Sequence, residues 1–208
     1  VRFNKQGQLL GRKGVESRQK YLDATLALLE IHPAHHLTVR DIARAAGIAS
    51  QSFYRYFDDI EEVFLELSAA AGEAMEEVHA ALALPWDEST PSEYGQRFIR
   101  TFAAYWSRHR PILSVRNYLS DGGHPGFMAL RQNAALPVIR EIAKRMRIAN
   151  PGQLTQTEAF ARSVIIYSAI ERMASRPATV RHGPALVSMD ELQRAEGDIL
   201  TLLFTAGG

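Results

Sequence analysis

"LTVRDIARAAGIASQSFYRYF", residues 37–57, holds two short helix patterns around one glycine. Thr38 stands as N-cap with Asp41 three residues later, the spacing of a capping box, and Gly47 is the stop signal. Ser50 is expected to cap a further short helix through Phe57. At about 100° per residue, Phe53 and Phe57 share one side of that helix. Gln51 and Arg55 fall opposite, with Ser52 beside them. Tyr54 and Tyr56 stand at the two borders, where a tyrosine can bury its ring and offer its hydroxyl to an oxyanion. Two rings therefore anchor the segment to a core, and a polar ridge remains for a partner.

Helix, glycine turn and second helix make a helix-turn-helix, whose second helix enters the major groove of DNA. An arginine there can bond guanine O6 and N7 together, and a glutamine adenine N6 and N7. Charge agrees. The chain of 208 residues has a net charge of only +1, yet residues 1–57 carry nine bases against four acids. Arg2, Lys5, Arg12 and Lys13 form a basic arm that can add phosphate or minor-groove contacts.

Outward from this segment the pattern is helical throughout. Leu22, Thr25, Leu26 and Leu29 recur at helical spacing before Pro33, and Asp58 and Asp59 suit the start of a helix from Ile60 to Ala83. "PWDESTP" reads as a linker. Further helices are expected at Ser92–Arg108, Pro111–Leu119, Pro125–Arg147, Thr155–Arg176 and Ser188–Phe204, with "DGGHPG" as a turn. The fold class is all-α. With 46% hydrophobic and 23% charged residues, no cysteine and no apolar run of membrane-spanning length, the chain reads as a globular cytoplasmic protein with neither disulfide nor membrane contact.

At residues 37–57 the chain resembles the TetR family of bacterial transcriptional regulators. Thr38, Val39, Ile42, Ala43, Ala46, Gly47, Ile48, Phe53, Tyr54 and Phe57 carry the likeness, which extends over about residues 17–67. It implies a basic arm and three-helix DNA-binding domain over 1–67, and a helical effector-binding and dimerisation domain over 68–208. It further implies a sequence-specific regulator: a repressor that grips a palindromic double-stranded operator as a homodimer and is released by a small effector of unknown identity. By similarity, Thr38 and Tyr54 touch phosphates. Arg40, Gln51 and Arg55 face bases, with Ser50, Ser52 and Tyr56 nearby.

In the second part Tyr94, Phe98, Phe102, Tyr105 and Trp106 form an aromatic stripe, readable as core or as the wall of an effector chamber. Asn117, Phe127, Met128 and Arg131 are candidates for the same space. Thr155–Arg176 is apolar nearly all round, so one face is expected to meet a second subunit, joined by the last helix through Leu192, Ala195, Ile199, Leu202 and Leu203. Glu171 falls at the centre of a stripe of Phe160, Val164 and Tyr167. A carboxylate there must be paired, with Arg116 or Arg131, or serve as the polar anchor of the effector.

No cofactor, metal site or catalytic group is expected. His32, His35 and His36 lie in a loop without the fixed face of a zinc helix. Two alternatives stay open: a small all-α enzyme with its active site in the second part, and a constitutive DNA-binding protein that takes no effector.

Overall fold

The computed structural model describes residues 11–85, 91–176 and 187–205. The basic arm at Arg2 and Lys5 and most of the expected linker lie outside them. Among the described residues the chain is helical and contains no strand. The elements are α1 (Arg12–Leu29), α2 (Val39–Ala46), α3 (Ser50–Phe53), α4 (Ile60–Glu73), α5 (Glu76–Ala83), α6 (Pro91–Asp121), α7 (Pro125–Ala149), α8 (Gln156–Ala174) and α9 (Met189–Thr205), with a 3₁₀ turn at Ala34–His36. No helix among these is long and apolar enough to cross a membrane.

One local device starts three of the helices. Thr38 with Asp41 and Thr155 with Glu158 form reciprocal capping boxes, and Ser188 with Glu191 makes the same exchange of bonds before α9. Gly47 ends α2 at φ 68°, in the left-handed region that glycine enters without cost.

Several boundaries differ from the sequence reading. The helix begun at Ser50 lasts only to Phe53, and a tight turn carries the chain on, with the Tyr56 and Phe57 amides both bonding to the Phe53 carbonyl. Ser50 makes no cap bond; Ala49 holds the N-cap position. The single helix expected over 60–83 breaks at residues 74–75, where Met75 is fully buried and begins α5. Pro111 does not end a helix, since it lies inside α6. A proline in a helix interior costs about 3 kcal/mol. Ile112, Leu113 and Val115 just beyond it, and Tyr105 and Trp106 just before it, are all buried. Packing at both flanks outweighs the local preference.

The chain forms two compact units: the residues up to Ala71 with Pro111–Leu130, and Gly72–Arg110 with the residues from Arg131 on. The first unit is centred on Tyr21, Ile42, Phe53, Phe57 and Val63, all fully buried. The second is centred on Phe98, Phe102, Tyr105, Trp106 and Ile142. Within it α6 and α9 cross at two glycines: a Cβ on Gly95 would collide with the Gly197 carbonyl oxygen, and one on Gly197 with the Gln96 side chain. At that crossing Gln96 Nε2 donates to the Arg194 carbonyl at 2.7 Å.

Candidate nucleic-acid interface

The segment 50–57 is held from below by aromatic packing. Phe53 and Phe57 are fully buried, and the Tyr21 ring meets both edge-on, with centroids 5.3 and 6.4 Å apart. The Tyr21 hydroxyl donates to the Ala49 carbonyl at 3.2 Å, which ties the start of α3 to α1. Burial raises the Tyr21 phenol pKa, so it keeps the proton that this bond needs. Sequence reasoning did not single out Tyr21. Its signal was there: it sits four residues before Thr25 and beside Leu22 on the inward face of α1.

With the rings inside, the polar side chains face water. Gln51, Tyr54 and Arg55 are exposed, and Ser50, Ser52 and Tyr56 are half-buried. On α2, Arg40 and Arg44 are exposed. Thr38 is exposed, but its hydroxyl is engaged in the capping box, donating to Asp41 Oδ2 at 2.5 Å and accepting from the Asp41 amide. These bonds hold the Asp41 carboxyl below its usual range. Arg18, counted by charge with the bases of this quarter, points elsewhere. It pairs with Glu66 and stacks over the Phe57 ring at 4.6 Å, and so belongs to the internal frame.

An exposed ridge carrying Gln51, Tyr54 and Arg55, on a short helix joined to α2 by a left-handed glycine, is a surface that can present side chains to a groove. The family model for bacterial regulatory proteins of the tetR family matches residues 22–67, the same segment. Those residues belong to the TetR family. Among its relatives, an HTH-type transcriptional regulator of Haemophilus influenzae is 40% identical over 58 residues, 27% of this chain and 28% of that protein. The regulator YdgC of Bacillus subtilis is 40% identical over 55 residues, 26% of this chain and 28% of its own. The match therefore spans little more than a quarter of either relative.

Solved structures of bacterial regulators share the fold over nearly the whole chain. The TetR-family regulator PfmR of Thermus thermophilus superposes with a TM-score of 0.62 at 21% identity, over 87% of this chain and 96% of that one. The fatty acid degradation regulator FadR of Bacillus halodurans gives 0.66 at 13% identity, over 93% and 97%.

In the second unit, Phe98, Phe102, Tyr105 and Trp106 are all buried, and the Phe102 ring stands edge-on to Tyr167 at 5.9 Å. Arg131 pairs with the buried Glu171 at 2.6 Å; Arg116, the other expected partner, donates to Asn117 Oδ1. Asn117 and Met128 fall in the first unit, half-buried and exposed. Phe160 and Val164 were expected to share the stripe of Tyr167 and Glu171, but they stay exposed. The inward face is Ala159, Ser163, Tyr167, Ile170 and Glu171.

A cavity of about 10 Å³, room for a single water, is lined by Ile99, Phe102, Ile170, Met173 and Glu196. A wider groove of about 470 Å³, lined by Arg140, Lys144, Arg147 and Phe160, includes none of the residues expected to bind an effector. Among the described residues no cluster of His, Asp or Glu could hold a metal ion.

Proposed function

We propose that this protein is a cytoplasmic, ligand-released repressor that binds a palindromic operator as a homodimer. In this reading residues 1–67 bind DNA, and 68–208 dimerise and take the effector. The observation that carries it is the short recognition segment, with Phe53 and Phe57 locked inward and Gln51, Tyr54 and Arg55 left to solvent. Arg40, Gln51 and Arg55 read bases. Thr38 and Tyr54 contact phosphates, and Ser50, Ser52 and Tyr56 support them.

Dimerisation is supported by apolar side chains left bare on α8 and α9. Ile165 is 70% exposed and Leu202 67%, with Phe160, Val164 and Ile199 also exposed. A two-fold axis through these helices would set two recognition helices against half-sites about 34–36 Å apart. The effector site is assigned to Phe98, Phe102, Tyr105, Trp106, Arg131, Tyr167 and Glu171 in the second unit. Phe102 and Tyr167 join α6 to α8 in that cluster, so a ligand bound there bears on the packing of two helices, which gives binding a route to conformation.

Selection of duplexes from a random pool by the full chain, followed by footprinting, tests the reading. An inverted repeat with one dimer bound is expected. Recovery of no preferred sequence would sink it.

A further inference from the structure

Between α6 and α7 the chain reads Asp121-Gly122-Gly123-His124-Pro125-Gly126, a run to which DNA binding assigns no role. Its geometry is specific. Gly123 takes φ 87°, in the left-handed region, and its amide closes α6 onto the Ser120 carbonyl at 3.0 Å. His124 then caps α7 through its ring: Nδ1 accepts from the Gly126 amide at 3.2 Å, and Pro125 takes the first helical position. A ring that accepts at Nδ1 carries its proton on Nε2. That Nε2 lies 2.5 Å from Oε1 of Glu61, in the first turn of α4. The imidazole also leans edge-on against the buried Phe127, centroids 5.0 Å apart.

Gly126 makes a second contact with the same helix. A Cβ there would stand 3.1 Å from Cδ2 of Leu65, closer than ordinary packing allows. Glu61 and Leu65 are four residues apart, on one face of α4. A half-exposed hydrogen bond of this kind contributes little in isolation. Here the imidazole is fixed by its cap bond and by Phe127, so less side-chain freedom is lost on meeting Glu61.

We propose that the 121–126 turn is the seat of α4, and that His124 is a positioning residue for the recognition helix. The inference rests on the DNA-binding reading. α4 begins at Ile60, three residues after the buried Phe57 that anchors the recognition segment, so a shift of its first turn is passed on through a very short link. α7 leaves the seat and, seven residues past His124, carries Arg131, the partner of Glu171 on α8. One helix thus holds both the pair that fixes α4 and the pair that reaches the buried carboxylate.

The test uses the full chain and a duplex recovered by selection, with binding followed by fluorescence anisotropy at low salt. His124→Asn keeps a capping oxygen but is too short to reach Glu61; Glu61→Ala removes the acceptor; Glu61→Gln keeps an oxygen in place. His124→Asn and Glu61→Ala should each weaken binding about threefold to thirtyfold, and the double variant no more than the worse single. Glu61→Gln should stay within about twofold of native. Gly126→Ala, whose Cβ presses on both Leu65 and the His124 ring while both polar partners stay in place, should weaken binding too and covers the case in which a His124 variant fails to fold. Native-like binding by all variants, or losses that simply multiply, would overturn the inference and leave the DNA-binding reading intact. A native chain that selects no duplex removes that reading and the inference with it.

Discussion

Arg131 on α7 donates through Nη2 and Nε to a single oxygen of Glu171 on α8, at 2.6 and 3.2 Å. The carboxylate is 4% exposed. Removing Arg131 takes two charged hydrogen bonds from a buried carboxylate, which costs more than neutralising the carboxylate itself. Arg131→Met should destabilise by about 3 kcal/mol, and Glu171→Gln by less. Thermal unfolding of the two variants checks the order. Equal midpoints would mean that the pair carries no buried charge.

Arg55 and Tyr54 should fail in different ways. Arg55→Ala is expected to cost about 1–3 kcal/mol per half-site and to relax preference at one base pair. Tyr54→Phe, lacking only a hydroxyl, should weaken every sequence about equally. Binding to a panel of single-base operator variants separates the two patterns.

The bare faces of α8 and α9 predict how the dimer breaks. Ile165→Glu together with Leu202→Glu places charge on the two most exposed apolar positions of those helices. A monomer by light scattering at micromolar concentration is expected, with operator affinity lost and helix content kept. A variant that remains dimeric puts the interface elsewhere.

Glu196 sets a dependence on pH. Burial pushes its carboxyl up to about 7, and Oε1 has no hydrogen-bond partner. The folded chain therefore favours the protonated acid more than the unfolded chain does. Its contribution to stability is fully present below the ordinary carboxylate range and is lost as pH rises through about 7. Melting temperatures of native and Glu196→Gln chains between pH 5 and 8 check this, since the variant should lose that part of the slope and melt higher at pH 8.

The cap at Thr38 predicts a local effect. Thr38→Ala should cost about 1 kcal/mol. Because the Thr38 bonds lower the Asp41 pKa, the stability from that carboxylate is present above its ordinary range and lost as pH falls through the lowered value. Acid unfolding of Thr38→Ala should accordingly begin from a less stable chain and show a weaker dependence at low pH.

What the sequence determined by itself was local. The capping box at Thr38, the glycine stop at Gly47 and the inward pair Phe53 and Phe57 were all legible, because each depends on residues within one or two turns. So was the all-α class, from hydrophobic spacing alone. The tertiary structure decided what depends on distant partners. Pro111 marks a helix end by local rules, yet buried neighbours on both sides carry α6 through it. Arg18 reads as one more base for a polyanion until Glu66 and the Phe57 ring claim it. Spacing alone offered both Arg116 and Arg131 to Glu171, and it is the packing of α7 against α8 that brings Arg131 to 2.6 Å from it. The turn at 121–126 was legible as a turn. Its histidine acquires a use only where the fold brings Glu61, 63 positions earlier, to within 2.5 Å. A charge or a ring can be placed on a helix face from spacing, but its partner is set by which faces the core forces together.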